Sequence, residues 1–203
     1  DTTPVLSGLA SAGAVVTLTD NGTELGTVIA GADGQWTFTP TALPDGPHAF
    51  QSSYVDATGN TIDSDVINVT IDTVAPQPAT GVELSNDAGD PISSGGSTND
   101  TTPQLNGSAE PGSTVTVTDG TTALGTTIVG DDGTWTYTTP PLTEGTHNIS
   151  TTVTDPAGNT SSASDPITVI VDTQAPPAAG NVQLSTDQSG TSVPITSGAT
   201  NDT

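Results

Sequence analysis

Apolar and polar residues alternate along this chain in short runs, and clusters of Gly, Pro, Asp and Asn separate them. Thr114-Val115-Thr116-Val117-Thr118 is the clearest run. A period of two places alternate side chains on opposite faces of a strand, so such runs predict half-buried β-strands. Within 72–171, strands are predicted at 82–85, 104–108, 114–118, 123–129, 135–137, 146–154 and 167–171. Residues 86–100 read as a polar loop. Turn signals stand at Glu110-Pro111-Gly112, Asp119-Gly120 and Asp132-Gly133, and Asp155-Pro156-Ala157-Gly158-Asn159 forms the last loop. No stretch carries a helical period. Seven short strands with polar turns predict an all-β, antiparallel, Ig-like sandwich.

The pattern repeats. Trp36 returns as Trp135 and His48 as His147, each 99 residues on, while Pro76 returns as Pro176 after 100. A period near 100 residues suits whole sandwich domains in tandem rather than a solenoid. The boundaries are predicted at 1–71, 72–171 and 172–203. The first copy lacks a counterpart of 82–85. The last segment supplies one at 182–185, with no domain after it. Asp72-Thr73-Val74-Ala75-Pro76 and Asp172-Thr173-Gln174-Ala175-Pro176 read as short Pro-containing joints. An incomplete sandwich leaves an open edge, so addition of a strand from another molecule is an expected partner mode.

Composition changes the picture in one respect above all. Lys and Arg together number 0 against 23 Asp and Glu, for a formal net charge of −23. Apart from two His, no basic side chain can pair with a carboxylate. Self-repulsion favours partners that bring cations and disfavours nucleic acid and anionic membrane surfaces. Cys is 0, which excludes disulfides, and the absence of Lys excludes Lys isopeptide cross-links. Hydrophobic residues are 31%, which suits thin sandwich cores. No run is apolar enough to insert in a membrane. Met is 0, so the chain is expected to be a piece of a longer one.

Over 72–171 an ordered series of motifs appears: Asp-Thr-x-Ala-Pro, Asn-Asp-Thr-Thr-Pro, Ala-Glu-Pro-Gly, Leu-Gly-Thr, Asp-Gly-x-Trp-x-Tyr, Gly-x-His and Asp-x-Ala-Gly-Asn-x-Ser. This series resembles the bacterial Ig-like repeat of giant, type I-secreted surface adhesins of the RTX and biofilm-associated kind. The first copy departs from it, with Ser11-Ala12-Gly13 in place of Glu-Pro-Gly and Thr58 where the second copy has Ala157. The resemblance implies an extracellular location, a spacer role among neighbouring Ig-like repeats, and calcium at the joints.

Seven strands running alternately down and up gather acidic loops at both poles of a sandwich. Asp72 is thereby expected near Asp155 and Asn159, with Asp1, Asp20 and Asp45 approaching from the first copy. Asn99, Asp100 and Asp172 form the corresponding set at the next joint, and Asp56 and Asn60 repeat the pattern at the free pole. Hard oxygen donors of this kind suit Ca²⁺, which takes 6–8 oxygens. The plainer reading is that these residues form turns and solubilise the chain. Asp33 and Asp132 read as turn residues. Trp36 and Trp135 read as core plugs rather than sugar platforms, and each lone His reads as structural.

No nucleophile elbow, triad or metal-protease pattern is present in the sequence, so no enzymatic activity is expected. The favoured expectation is a structural extender that projects an adhesive tip from a bacterial surface, rigidified by calcium. The alternatives are a carbohydrate- or protein-binding Ig-like module, a strand-complemented fibre subunit and an accessory domain of an enzyme.

Overall fold

The structure is a computed structural model that describes residues 1–177. A boundary between units falls after Asp172. The expected strand at 182–185 lies outside the described residues.

The first repeat comprises β1 (Leu6–Leu9), β2 (Val15–Asp20), β3 (Thr23–Ile29), β4 (Gln35–Phe38), β5 (Gly46–Val55), β6 (Thr61–Asp63) and β7 (Ile67–Ile71). The second comprises β8 (Thr80–Ser85), β9 (Gly96–Thr98), β10 (Gln104–Ser108), β11 (Thr114–Asp119), β12 (Thr122–Ile128), β13 (Thr134–Thr138), β14 (Gly145–Thr154) and β15 (Ile167–Val171). In the second repeat one sheet runs β13-β10-β8 and the other β12-β11-β14-β15-β9. In the first, β1 pairs with β4, and the other sheet runs β3-β2-β5, with β6 and β7 both paired to β5.

All seven expected strands of the second repeat are present, and the sheets form an all-β sandwich. An eighth segment, β9, sits inside the expected 86–100 loop and runs parallel to β15. Its residues, Gly96-Ser97-Thr98, carry no apolar alternation that would mark a strand. The first hairpin turns also differ from one another. Asn21 and Gly22 both take positive φ (48° and 78°), as a type I′ turn requires, whereas the second repeat uses Gly120 (φ 55°) followed by Thr121.

Each Trp lies across a glycine on the neighbouring strand. Gly8 faces Trp36 and Gly107 faces Trp135 in register. A Cβ on Gly107 would stand 2.8 Å from Trp135 Cζ2, and one on Gly8 2.5 Å from Trp36 Cζ2. The glycine is therefore the floor on which the indole rests, and both Trp are buried.

The two cores differ in continuity. In the second repeat ten buried residues form one cluster that includes Ala79, Leu84, Leu105, Trp135 and Val169. In the first repeat Val16, Leu18, Ala30 and Trp36 form one cluster, and Leu43, Phe50 and Ile71 another. Leu84 of β8 is 1% exposed. Full burial of one Leu contributes about 1.5–3 kcal/mol.

Replacing Gly107 with Val is expected to force the Trp135 ring from its site and destabilise the second repeat by about 1–3 kcal/mol. Urea unfolding followed by Trp fluorescence measures it, and an unchanged midpoint would refute the glycine-floor packing.

Candidate functional site: the acidic joint and its supports

The joint is built from the end of β7 and the last loop of the second repeat. Backbone Asp72 C=O accepts a hydrogen bond from Asn159 Nδ2 at 3.2 Å. Asp72 Oδ1 accepts the amide of Val74 at 2.9 Å, so the carboxylate closes a turn at the start of the linker. Thr73 Oγ1 donates to both Asp45 carboxylate oxygens at 3.0 Å, which ties the linker to the loop before β5. Pro76 is buried. The structure thus brings Asn159 onto the backbone of Asp72 and Asp45 onto Thr73.

Asp155 is 6% exposed and is solvated by its own loop. Its carboxylate accepts Asn159 N–H at 2.8 Å and Asn159 Nδ2 at 2.8 Å. Burial pushes its pKa up, but the Asn159 side chain and the amides of Asn159, Ala157 and Gly158 outweigh burial and hold it below the usual carboxylate value. Asp56 and Asn60 make the same loop in the first repeat, where Asn60 is exposed. The Asn60 amide, with the Thr58 hydroxyl and the Asn60 side chain, depresses the Asp56 pKa strongly. Asp132 is likewise lowered, by the Thr134 amide and hydroxyl.

Of the other expected group, Asp100 and Asp172 each bond to Thr98. Asp172 N–H donates to Thr98 C=O at 2.9 Å, and Asp100 N–H donates to Thr98 Oγ1 at 3.0 Å. Asn99 lies between Thr98 and Asp100 in the chain. Asp100 Oδ2 accepts the amide of Asp87 at 3.0 Å, and its Oδ1 accepts that of Thr102 at 2.8 Å.

Asp1 and Asp20, also expected at the joint, each bond within the first repeat. Asp1 accepts from Thr3 at 2.9 Å. Asp20 turns inward to His48, with Oδ2 2.7 Å from Nδ1, while its Oδ1 accepts the Ala49 amide at 3.0 Å. Asp119 and His147 repeat the pair at 2.7 Å, with Oδ1 on the Asn148 amide at 2.8 Å. The second ring nitrogen faces a backbone carbonyl, of Pro44 at 2.9 Å and of Thr143 at 2.8 Å. Both partners are acceptors, so each ring satisfies them only as the doubly protonated imidazolium. For His48 the Asp20 hydrogen bond raises the pKa, helped by Pro44. For His147 burial works to lower it, and the Asp119 and Thr143 hydrogen bonds prevail. Sequence reasoning identified both His as structural but not their partners. The 28-residue spacing of Asp to His in both repeats was the available signal.

The donors at the joint are all hard oxygens, which suits a divalent cation in kind. Among the described residues no three acidic, His or Cys side chains gather as a metal cluster. Two carboxylates, an amide oxygen and a backbone carbonyl fall short of the six to eight oxygens that Ca²⁺ takes, so water would complete the shell.

The bacterial Ig-like domain family matches residues 1–73 and again 74–173. Among solved structures, the chain is similar to fibronectin(III)-like modules of Clostridium thermocellum CbhA, at 18% identity and a TM-score of 0.47, over 82% of this chain and 85% of that one. It is similar to a biofilm associated protein BSP domain at 26% identity and TM-score 0.33, covering 85% of this chain and 28% of that one. It is also similar to a 1.5-MDa bacterial ice-binding adhesin at 20% identity and TM-score 0.36, covering 83% of this chain and 58% of that one. No curated protein matches the chain.

Stability should depend on pH from both sides. The His48 and His147 contributions are fully present below about pH 6.5 and are lost as pH rises through the raised folded values. Those of Asp56, Asp132 and Asp155 are present above about pH 3.8 and are lost as pH falls through the lowered folded values. The Tm of the double variant His48→Gln/His147→Gln should therefore fall furthest behind wild type near pH 5 and approach it at high pH. A pH-independent difference would refute the imidazolium assignment.

Proposed function

The chain belongs to the bacterial Ig-like domain family, and from that premise we propose that its tandem repeats serve as an extender of a bacterial surface adhesin. In this role the beads carry a distal adhesive tip away from the cell, and the joints limit bending. The observation that supports it best is the linker after β7. Asp72, Thr73 and Val74 are each held by a hydrogen bond, and the bonds reach into both repeats. A linker whose backbone is fixed on both sides transmits direction, whereas a free Gly/Ser linker would not. The family is typically non-enzymatic, and the role needs no catalytic group. No helix among the described residues is long and apolar enough to cross a membrane. An extracellular setting fits the family and a cysteine-free, strongly acidic β-protein.

Calcium at the joint is the finer part of the proposal. Asp72, Asp155 and Asn159 would hold the ion in the first joint, and Asn99, Asp100 and Asp172 in the next. Asp56 and Asn60 would offer a partial site at the free pole. A bound Ca²⁺ would supply positive charge that a chain without Lys or Arg lacks. It would stabilise the folded joint by mass action, because the unfolded chain does not assemble the ligands. Extracellular modules of this kind bind with Kd on the order of 10⁻⁴–10⁻³ M.

The test is thermal unfolding at matched ionic strength, in millimolar CaCl₂ and in EDTA. A rise in Tm with Ca²⁺ that NaCl does not reproduce, and that Asp72→Ala abolishes, is expected. Equal Tm values in both buffers would overturn calcium at the joint and leave the extender resting on the hydrogen-bonded linker alone. Small-angle scattering of the two-repeat chain tests the extender itself, and a freely varying inter-repeat distance would refute it.

A further inference from the structure

We propose that β9, the short strand inside the 86–100 loop, is a load-bearing latch, and that its parallel ladder with β15 holds the second repeat closed when the chain is under tension. The inference rests on the extender reading, because a chain that links a surface to a tip carries tension along its length.

Tension crosses the second repeat from pole to pole. It enters at the joint, where Asn159 holds the backbone of Asp72. It leaves after Val171, which pairs with Gly145, at the end of β14 opposite Thr154 and the joint loop. The entering chain meets β8 first and β9 second, and β15 is the strand that leaves. Once β8 is drawn out, the pull acts on β9 at its Gly96 end and on β15 at its Val171 end. Their register is parallel, with Val169 opposite Gly96 and Val171 opposite Thr98. The two strands are therefore drawn in opposite directions along their own length, and their hydrogen bonds run across the pull. Bonds loaded in this way stretch together, whereas a hairpin opened from its end loses them one at a time.

The ladder reaches beyond the three residues of β9. Gly95 N–H donates to Thr168 C=O at 2.6 Å, and Thr168 N–H donates to Ser94 Oγ at 3.1 Å. At the other end Asp172 N–H donates to Thr98 C=O at 2.9 Å. Val169 and Val171 are 0% and 1% exposed, so water is excluded from the inner side of β15. By contrast, the register of β8 on β10 shifts between Asn106 and Ser108, beside the glycine that carries Trp135. Release of β8 thus passes the load to β9 rather than opening the bead. The loop is shaped for this contact. Gly95 takes a φ of 85°, and a Cβ on Gly96 would stand 2.8 Å from the Ser93 carbonyl oxygen, so two glycines fold the chain onto β15. A holding role accounts for a strand that has no apolar alternation of its own.

The experiment is single-molecule pulling at constant force on the full 203-residue chain, held by its two ends, with Ser97→Cys and Ile170→Cys introduced. These positions face each other across the ladder, and the chain has no other cysteine. Oxidised, the disulfide bolts β9 to β15, and the second repeat can release only the chain up to residue 97, about 6 nm. The lifetime of that short step measures the hold of β8 alone. Reduced, the short step should be followed by a separate one of about 25 nm that lasts at least as long at the same force. The long step that oxidation abolishes and reduction restores belongs to the second repeat. In the reduced background, Thr98→Pro removes an N–H from β9, and Ser94→Ala removes the acceptor of Thr168 N–H. Each should shorten the long step about three- to tenfold, the worth of one net hydrogen bond, and leave the short step unchanged. Release of the whole reduced repeat in one step, with the lifetime of the bolted short step, would overturn the proposal. A long step that neither variant shortens would overturn it equally. Either outcome leaves the extender reading standing, since scattering tests that reading separately.

Discussion

A chain with no lysine or arginine has to find other donors for its carboxylates, and in this one the donors are backbone amides. Asp33, Asp72, Asp100 and Asp132 each accept an N–H from the residue two places on, at 2.8 to 3.0 Å. Asp56 and Asp155 accept the amide four places on, closing a wider loop. In each case the charge that repels its neighbours at long range is also the acceptor that fixes a turn at short range. The sandwich turns therefore depend on ionised carboxylates. Protonation would remove the stronger acceptor and loosen the connections between strands.

The two imidazolium pairs extend this logic into the interior. Each spans a hairpin and the following long strand, from Asp20 to His48 and from Asp119 to His147. The same carboxylate also accepts an amide on that strand. Two bonds thereby fasten each turn, that of β2–β3 to β5 and that of β11–β12 to β14. His48 further stacks on Phe50 with ring centroids 5.8 Å apart, so the cation sits against the apolar core rather than in the solvent. A neutral ring could not satisfy a carboxylate and a carbonyl together. The spare cations of this composition are thus placed where they order a turn, and the joints are left with carboxylates alone.

Strand positions were legible because alternation is a local property. Val115 and Val117 point inward and Thr114 and Thr116 less so, as period two requires. The Trp plugs were legible for the same reason. β9 was not, since Gly96-Ser97-Thr98 owes its strand geometry to the edge of β15 rather than to its own side chains. The convergence of Asp72 with Asn159 was legible from strand direction, which decides which loops share a pole. The inward turn of Asp20 was not, because the choice between pole and His48 is settled by a partner 28 residues away. Equally hidden was the split core of the first repeat. The two buried groups of the first repeat share the partly buried Leu6 and Leu25, whereas ten buried side chains form one cluster in the second.

The joint gains its character from what surrounds it on both sides. The Asp45–Thr73 contact comes from the first repeat, and the Asn159–Asp72 contact from the second. Buried Pro76 removes one backbone degree of freedom between them. Bending at this linker would have to break at least one of these bonds and expose the proline. The bonds are polar and exposed or half-buried, so each resists bending modestly, and their resistance weakens as water competes for the same groups. Stiffness of this kind is graded. The joint is held by a few such bonds, whereas each sandwich is held by ladders of many.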